Sequence, residues 1–364
     1  MNSDITFKLI SYKELSTGEF RIDTPTGIAA FFTENVLETV RKCPCVLDES
    51  LPAVLLAIKG DEIVGRAVLL VSRLKLGEVM EYVQTSSSIE VSPLCRKQGI
   101  GRGIVEYVRD NDAFQMKFGS LFSVQYIDQW RRAGFTVFDV PQYMLINDYY
   151  PLLRSIRLSG FVLTLASRFL NFCSHSSRKI ASYRTNKLKR RFSLSKETII
   201  PDWAGAMTFS DGKKYGEIHD ASWLQWNLDN NYSGEPKDIQ SFYAIYDCDG
   251  SPVAFFMTKE RFEHERGRYR DVLSGTIVEW STKDDTLISE SDIIALATES
   301  FSPDVTHITT LATTRNVEKR IKRLLYSAHG NYQMVFYDKS DRYPDAKDKQ
   351  LWRIRYGAVN SIFI

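Results

Sequence analysis

The segment from Ile89 to Gly103 combines spaced glycines with basic residues, and reads Ile-Glu-Val-Ser-Pro-Leu-Cys-Arg-Lys-Gln-Gly-Ile-Gly-Arg-Gly. Its apolar start predicts a strand, and residues 101–109 predict a helix. Glycines let the backbone turn so that successive N–H groups point into one space, and a helix that begins beside them adds a partial positive charge. The segment therefore predicts a cradle for an anion such as a pyrophosphate.

Two widespread phosphate-binding loops do not fit this segment. A Walker loop needs Gly-Lys-Ser or Gly-Lys-Thr at its end, and the segment has neither. A dinucleotide fingerprint needs Gly-x-Gly-x-x-Gly, whereas the third glycine here, Gly103, comes too early. Arg96, Lys97 and Arg102 bring side-chain cations to the same place. These cations favour an anion site of another kind.

The segment resembles the acetyl-CoA loop of the GNAT N-acyltransferase superfamily. The pattern of that family is Arg or Gln, x, x, Gly, x, Gly or Ala after a strand that ends in Val-x-Pro. This chain has Arg96, Gly99 and Gly101 after Val91-Ser92-Pro93, and the resemblance extends from about Ile5 to Asn147. It implies that the following residues bind the co-substrate acetyl-CoA: Ile89, Val91, Arg96, Lys97, Gln98, Gly99, Ile100, Gly101 and Arg102.

The resemblance also implies a reaction. In this family an amine attacks the thioester directly, and neither a metal nor a covalent intermediate is needed. The strand that carries Ile89 and Val91 would pair with the pantetheine arm, and a backbone N–H there would polarise the thioester carbonyl. A base must take a proton from the ammonium, and an acid should protonate the departing thiolate. The implied activity is acetyl transfer to the amine of a small molecule.

The candidate acid and base depart from the family pattern. Many members carry a Tyr four residues before a Gly-Phe pair as the acid, but that position is Trp130, whose indole N–H is a very poor acid. Tyr126, one helical turn earlier, is the substitute, with a buried structural Tyr as the alternative. Glu81 is the candidate base, because it shares strand parity with Ile89 and Val91 if no bulge intervenes. The alternative for Glu81 is a solvated carboxylate.

A length of 364 residues predicts two domains at roughly 150 residues each. Both halves show the order strand, helix, antiparallel strands, helix, strand, helix, strand. The predicted fold class is α/β (α+β), with two GNAT-like domains that are each a mixed, mostly antiparallel sheet flanked by helices. The boundaries are 1–148 for the acetyl-CoA domain, 149–198 for a basic amphipathic helical linker, and 199–364 for a degenerate second domain.

The second half lacks a matching phosphate cradle. After Trp280 the sequence reads Ser-Thr-Lys-Asp-Asp-Thr, without glycine and with two acids that would repel phosphate. The segment 220–226 is similar to a D-x-x-W/Y-L-x-W segment of tandem GNAT-like proteins in bacterial surface-polysaccharide clusters. Trp223 and Trp226 could stack on sugar rings, which would make an amino sugar the acceptor. Packing of these large aromatics in a core or interface is the alternative.

The net charge of +2 hides an uneven distribution. Residues 151–192 contain ten Lys and Arg and no Asp or Glu, and the rest of the chain carries 37 basic against 45 acidic residues. Apolar residues recur near helical spacing at Leu152, Ile156, Leu163, Ala166 and Leu170. The stretch fits a linker helix packed across both domains, a helix on an anionic membrane, or contact with RNA or another polyanion. Aromatic interleaving typical of a nucleic-acid groove is missing, so no nucleic-acid partner is expected.

The cysteines and the N-terminal sequence indicate the cellular compartment of the protein. Five dispersed cysteines (Cys43, Cys45, Cys95, Cys173 and Cys248) predict free thiols in a reducing compartment, and no metal site is expected. There is no secretory signal pattern and no apolar run of about 18 residues. We expect a cytoplasmic protein, with peripheral contact to the inner face of the membrane as a further option. The alternative function is a non-catalytic CoA-binding or scaffold protein with degenerate GNAT domains.

Overall fold

The computed structural model describes residues 4–17, 34–121, 127–154, 159–210, 212–230, 235–266 and 269–357. Its strands are β1 (Ile5–Ser11), β2 (Pro52–Lys59), β3 (Glu62–Leu76), β4 (Val79–Val91), β5 (Met116–Leu121), β6 (Thr136–Ile146), β7 (Ser193–Glu197), β8 (Tyr215–Glu217), β9 (Ile239–Tyr246), β10 (Pro252–Arg266), β11 (Tyr269–Thr282), β12 (His307–Leu311), β13 (Ser327–Asp338) and β14 (Trp352–Arg353). Its helices are α1 (Tyr12–Thr17), α2 (Glu34–Arg41), α3 (Ile100–Asp110), α4 (Ile127–Arg132), α5 (Tyr150–Arg154), α6 (Gly160–Arg191), α7 (Asp202–Phe209), α8 (Ala221–Asp229), α9 (Glu290–Thr298) and α10 (Arg315–Arg323).

The chain forms two compact units whose boundaries differ from the sequence-based domains. The first unit comprises residues 1–139, 213–234 and 332–364, and the second comprises 140–212 and 235–331. The reason is strand pairing between distant segments. β13 pairs antiparallel with β5, and β8 pairs antiparallel with β3, so two late segments join the first unit. Such pairings depend on contacts far apart in the sequence, which local patterns do not encode.

The first unit is built on a mixed sheet with the order β1-β2-β3-β4-β5-β13. The neighbours β1–β2, β2–β3, β3–β4 and β5–β13 are antiparallel, whereas β4 and β5 are parallel. Three of these strands follow each other as a meander with short turns, which antiparallel pairing allows. The prediction of a mixed, mostly antiparallel sheet flanked by helices is therefore confirmed.

Helix α3 is held against this sheet by an apolar face. Ile100, Ile104 and Val108 recur every four residues and are buried in one cluster with Leu55, Ala57, Val64, Ala67 and Leu69 of β2 and β3. Full burial of one such aliphatic side chain stabilises the fold by about 1.5–3 kcal/mol. The beginning of α3 is thus fixed relative to β3 and β4, and so is the loop that precedes it.

The second unit has a sheet of the same kind, with the order β6-β12-β11-β10-β9-β7. β11 and β12 are parallel, and the other neighbours in this order are antiparallel. Helix α9 follows β11 as α3 follows β4, but the connection has no glycine, and its first turn carries Glu290 and Asp292. This part of the second unit has no counterpart of the glycine loop.

Gly103 allows a close approach between α3 and β1. A Cβ atom built on Gly103 would lie 2.6 Å from Cζ of Phe7, too close for any side chain without movement of the ring. The ring of Phe7 also packs 5.5 Å from that of Tyr107 on the same helix. The third glycine of the segment is therefore explained by helix packing.

We predict that Gly103→Ala lowers the free energy of unfolding by about 1–2 kcal/mol. The overlap with Phe7 should outweigh the gain of about 1 kcal/mol that Ala brings to a helix interior. In a Phe7→Leu background the same substitution should become neutral or stabilising, because the crowded ring atoms are gone. Urea unfolding of the four proteins tests this cycle. Stabilisation by Ala in both backgrounds would show that Phe7 does not limit the space at Gly103.

Candidate active site

Strand β4 contains a bulge at Ser88. Glu90 lies opposite Arg66 and Ser87 lies opposite Val68, so β4 has one more residue than β3 between these two pairs. Ser88 has a φ of 49°, in the left-handed region that a residue other than glycine seldom adopts. A bulge redirects a strand and breaks its regular hydrogen bonding. β4 therefore changes direction just before Ile89.

β4 and β5 separate at this bulge. They pair only through residues 84–86 of β4 and 117–119 of β5. β4 then continues to Val91, whereas Leu121 at the end of β5 pairs with Gln333 of β13. In the described part of the chain, the edge of Ile89–Val91 that faces away from β3 has no strand partner. Its backbone groups can pair with an extended ligand as with an added strand.

The glycine loop follows directly. After a short 3-10 turn at Pro93–Cys95, Lys97 and Gly99 both have positive φ, 66° and 84°, and Gly99 is the N-cap of α3. A Cβ atom at Gly99 would meet nothing within 4 Å, so the space in front of it is open. The first N–H groups of an α-helix have no partner within the helix. The loop and α3 thus offer backbone donors beside an open space, as the sequence predicts.

The side chains around the loop make it electropositive. Arg96, Lys97 and Arg102 are exposed, and no acidic residue occurs between Val91 and Gly103. Arg96 donates from Nε to the backbone oxygen of Val91 over 3.4 Å, and Arg102 donates to Glu106 over 2.8 Å. These contacts leave most of the guanidinium donors of both arginines to solvent. An anion at the loop would meet backbone N–H groups and mobile cations together.

Arg66 holds the bulge from the neighbouring strand. Its buried guanidinium donates from Nη2 to Oγ of Ser88 over 3.2 Å and to Oε2 of Glu90 over 3.1 Å. Burial raises the pKa of Glu90, while the charge of Arg66 acts in the opposite direction. One side chain therefore ties both sides of the bulge to β3. Sequence reasoning missed Arg66, because an Arg inside a strand is equally typical of an exposed edge.

A buried polar patch lies where β4 and β5 still pair. Both amide atoms of Gln84 and the hydroxyls of Thr85 and Ser86 are buried without a hydrogen-bond partner among the described residues. Lys117, opposite Gln84, donates from Nζ to the backbone oxygen of Asn111 over 2.7 Å, and burial lowers its pKa to about 8. Unsatisfied buried polar groups are costly, and they concentrate at functional sites.

The sequence signal of this patch was the polar run Gln-Thr-Ser-Ser-Ser within a strand whose neighbours are apolar. A central strand of a sheet normally consists of residues that need no partner for their side chains. A polar run at such a place therefore indicates a cavity or a ligand. Sequence reasoning selected no residue of this run, and so it missed Gln84 and Ser86.

Glu81 does not share a face with Ile89 and Val91. Glu81 pairs with Leu74, which is an odd number of residues along β3 from Leu69, so Glu81 lies on the opposite face of the sheet from the α3 cluster that contains Leu69. The bulge adds one residue to β4 and thereby brings Ile89 and Val91 to the face of that cluster. The carboxylate of Glu81 accepts from Arg342 Nη2 over 2.7 Å and from Tyr343 Oη over 2.9 Å. Glu81 was selected as the base because it would share a face with Ile89 and Val91 in a regular strand, and the bulge makes this wrong. Its carboxylate also accepts hydrogen bonds from two donors.

Trp130, at the position of the usual acid, and Tyr126, the candidate acid, have different outcomes. Trp130 is buried in the first unit, where it packs edge-to-face on Phe135 with ring centroids 4.7 Å apart. Its cluster includes Val105 of α3 and Val335 of β13. The indole therefore occupies a core position. Tyr126 lies outside the described residues.

Trp223 and Trp226 are core residues, so the stacking on sugar rings expected from the sequence is wrong for this structure. They are only 1% and 5% exposed, and their rings pack on each other with centroids 4.8 Å apart. Trp226 donates from Nε1 to the backbone oxygen of Thr39, and His219 stacks on Trp223. The Asp-x-x-Trp spacing is explained by a helix cap, because Asp220 accepts from the backbone N–H of Trp223 over 2.9 Å.

The described residues contain no group of three or more His, Cys, Asp or Glu arranged to hold a metal ion. The five cysteines are unpaired, and burial raises the pKa of the Cys43 thiol to about 11 and that of Cys45 to about 12. Among the helices that the structure describes, none has both the length and the apolar character that crossing a bilayer requires.

Solved structures with the same architecture exist. N-myristoyltransferase of Saccharomyces cerevisiae with bound myristoyl-CoA has a TM-score of 0.58 at 9% identity, over 93% of this chain and 80% of that chain. A probable N-acyltransferase of Enterococcus faecalis V583 has a TM-score of 0.52 at 11% identity, over 92% and 72%. A GCN5-related N-acetyltransferase of Anabaena variabilis ATCC 29413 has a TM-score of 0.51 at 9% identity, over 92% and 73%.

The chain has the GNAT fold. The resemblance inferred from Arg96, Gly99 and Gly101 is confirmed at this level. No family model and no curated protein sequence matches the chain. In this GNAT fold the bulge, the separated strands and the glycine loop follow one another without interruption from Ser86 to Gly103.

We predict that Arg66→Leu lowers the free energy of unfolding by about 1.5–3 kcal/mol, the range for hydrogen bonds to charged groups. The half-buried carboxylate of Glu90 would lose its partner, and Ser88 would lose the contact that holds the bulge. The double variant Arg66→Leu/Glu90→Leu should recover part of this loss, because it removes the unpaired charge. Urea unfolding compares the variants, and a harmless single substitution would contradict the assigned role of Arg66.

Proposed function

We propose that this protein transfers an acyl group from a CoA thioester to the amine of a small molecule. The observation that carries the proposal is the open backbone edge of Ile89–Val91, which leads directly into the glycine loop at the start of α3. An elongated molecule with amide groups along an arm and a pyrophosphate at one end matches that sequence of sites. The pantetheine arm and the pyrophosphate of CoA have these features.

Different residues would bind the pyrophosphate and the pantetheine arm of CoA. Backbone N–H groups of Gly99, Ile100, Gly101 and Arg102 would face the pyrophosphate, together with the backbone of Gln98. Arg96 and Lys97 would add exposed cations beside it. The arm would lie along Ile89 and Val91, whose side chains pack towards the α3 cluster and leave the backbone edge accessible.

The chemistry needs little from side chains. The amine nitrogen attacks the thioester carbon, the C–N bond forms, the C–S bond breaks, and the sulfur leaves as a thiolate. A backbone N–H at the bulge would stabilise the oxyanion, since the bulge frees backbone groups from the ladder. The ammonium must lose one proton before attack and the nitrogen a second one as the amide forms, and the thiolate gains one. We assign Tyr126 as the candidate acid and water as the shuttle for the amine proton, because Glu81 is held by Arg342 and Tyr343.

Acetyl is the acyl group that the loop resemblance favours, and we retain acetyl-CoA as the proposed co-substrate. The similar structures include one named for acetyl transfer and one with bound myristoyl-CoA, so a series of chain lengths belongs in the test. An amino sugar as acceptor has lost its support, because Trp223 and Trp226 are buried. A small primary amine is the acceptor that we propose.

We predict that Gly99→Glu weakens CoA binding at least ~100-fold in calorimetry. A carboxylate at the left-handed N-cap would strain the backbone and place negative charge beside the pyrophosphate, and such like-charge contacts cost several kcal/mol. Gly60→Glu is the matched control, since Gly60 also has a positive φ and open space around it but lies in the β2–β3 turn. Equal affinities in the two variants, or no binding to the wild type, would contradict the proposal.

A second function, binding of CoA without turnover, is favoured by Trp130 at the position of the usual acid. The two functions differ in one measurement. Incubation of the CoA-binding protein with acetyl-CoA and a panel of primary amines releases free thiol only if acyl transfer occurs. Thiol release and an acylated amine in the mass spectrum support the transferase, whereas tight binding without release supports the non-catalytic protein.

We predict that Gln84→Leu raises or preserves stability but lowers turnover about tenfold or more. Its unpartnered amide destabilises the fold, so an apolar side chain of similar size should be tolerated. We assign the amide to orientation of the acceptor next to the separated strands. Thr310→Val is the matched control, because the hydroxyl of Thr310 is also buried without a partner but belongs to the second unit. Unchanged kcat and KM in Gln84→Leu would remove Gln84 from the site.

A further inference from the structure

Helix α6 exposes a stripe of large apolar side chains. Phe161, Leu165, Phe169 and Phe172 are 79%, 62%, 64% and 71% exposed. They lie three or four residues apart, so on a helix of 3.6 residues per turn they share one face. Such side chains are normally the first to be buried. An exposed apolar stripe of this kind marks a surface that contacts a partner or a membrane.

The stripe is not the inward face of the helix. Leu163 and Ser167 are buried, and Leu170 is half-buried, which places the packed side of α6 opposite the phenylalanines. This packed side includes Leu163 and Leu170, two of the apolar positions that the sequence analysis selected. The described part of the chain therefore shows one apolar face turned to the second unit and another turned to solvent.

The charge around the stripe is of one sign. Residues 151–192 contain no acid. Arg168 is exposed next to Phe169, and Lys187 and Arg190 are exposed about four to five turns beyond Phe172. Lys189, on the flank of the helix, is paired with Glu299 over 2.6 Å. Among the described side chains, the exposed surface of α6 is therefore apolar and aromatic towards its start and mainly basic towards its end, where Tyr183 is also exposed.

We propose that α6 binds to the surface of an anionic phospholipid bilayer, with Phe161, Leu165, Phe169 and Phe172 inserted at the headgroup boundary. A helix with an apolar aromatic face and a Lys/Arg-rich polar part is stable in that plane. The basic end of the helix is attracted to anionic lipid, and each Lys or Arg near the surface raises the affinity about fivefold. An anionic bilayer can bury the apolar side chains at the start of the helix and attract the basic side chains at its end.

Charge argues against a second copy of this chain as the occupant. An identical helix would bring the same basic residues to the contact and no acid to pair with them. An anionic membrane has the complementary sign. The proposal concerns the second unit and does not depend on acyl transfer by the first.

The test is sedimentation with vesicles of phosphatidylcholine that contain or lack phosphatidylserine, at low and at high salt. The wild type should bind the anionic vesicles at low salt and lose affinity as salt rises. The variant Phe161→Ser/Phe169→Ser/Phe172→Ser should bind at least ~10-fold more weakly. The matched control is Leu47→Ser/Ile199→Ser/Ile239→Ser, which removes three exposed apolar side chains from other elements and should bind as the wild type does.

A second pair of variants measures how much the basic side chains of α6 contribute to vesicle binding. Lys187→Gln/Arg190→Gln should weaken binding roughly 20-fold, in line with about fivefold per charge. Lys319→Gln/Arg323→Gln, which changes exposed cations of α10, should leave it unchanged. Circular dichroism melting curves show whether each variant is folded.

Three outcomes overturn the proposal. The wild type could fail to sediment with anionic vesicles at low salt. The phenylalanine variant could be folded and still bind as tightly as the control variant. The protein could form a dimer in sedimentation velocity that the phenylalanine variant abolishes, without binding to vesicles, which would assign the stripe to a second copy.

Discussion

The contact between the buried Arg66 and the two sides of the β4 bulge is the constraint on which the rest of the first unit's site depends. Arg66 donates to Ser88 and to Glu90, so the extra residue of β4 stays at one place. Because the bulge is held there, β4 leaves β5 after the pair Ser86–Gly119. The separated strands then leave the backbone edge of Ile89–Val91 without a strand partner in the described chain. Loss of the bulge would shift the register of β4 by one residue after this point and turn every later side chain to the other face.

The same geometry explains why this site uses so few side chains. The donors it offers are backbone N–H groups at a bulge and at a helix start, and these are positioned by packing. Ile100 and Ile104 hold α3 against β3, and the missing side chain of Gly103 lets α3 approach Phe7. The second unit repeats the strand and helix order but has Glu290 and Asp292 in the corresponding helix turn. Similar architecture therefore carries a glycine loop flanked by cations in one unit and an acidic turn in the other.

The local elements near the site were predictable, whereas the contacts between distant segments were not. The strand before the loop was expected and is observed as Val79–Val91, and α3 was expected at 101–109 and is observed as Ile100–Asp110. Glycine spacing and apolar periodicity encode such features directly. The bulge was missed because a serine with positive φ has no sequence signature, and the parity of Glu81 failed with it. The tryptophans of α8 show a related limit, since surface stacking and core packing require the same residue type.

The central claim is that CoA binds along the open edge of β4 and at the first turn of α3. Hydrogen–deuterium exchange of the wild-type protein, with and without saturating CoA, tests it most directly. The account predicts slower exchange at the amides of Ile89–Val91 and of Gly99–Gly103, with no change at residues 289–293 at the start of α9. Unchanged exchange in both segments of the first unit, or protection confined to α9, would contradict it.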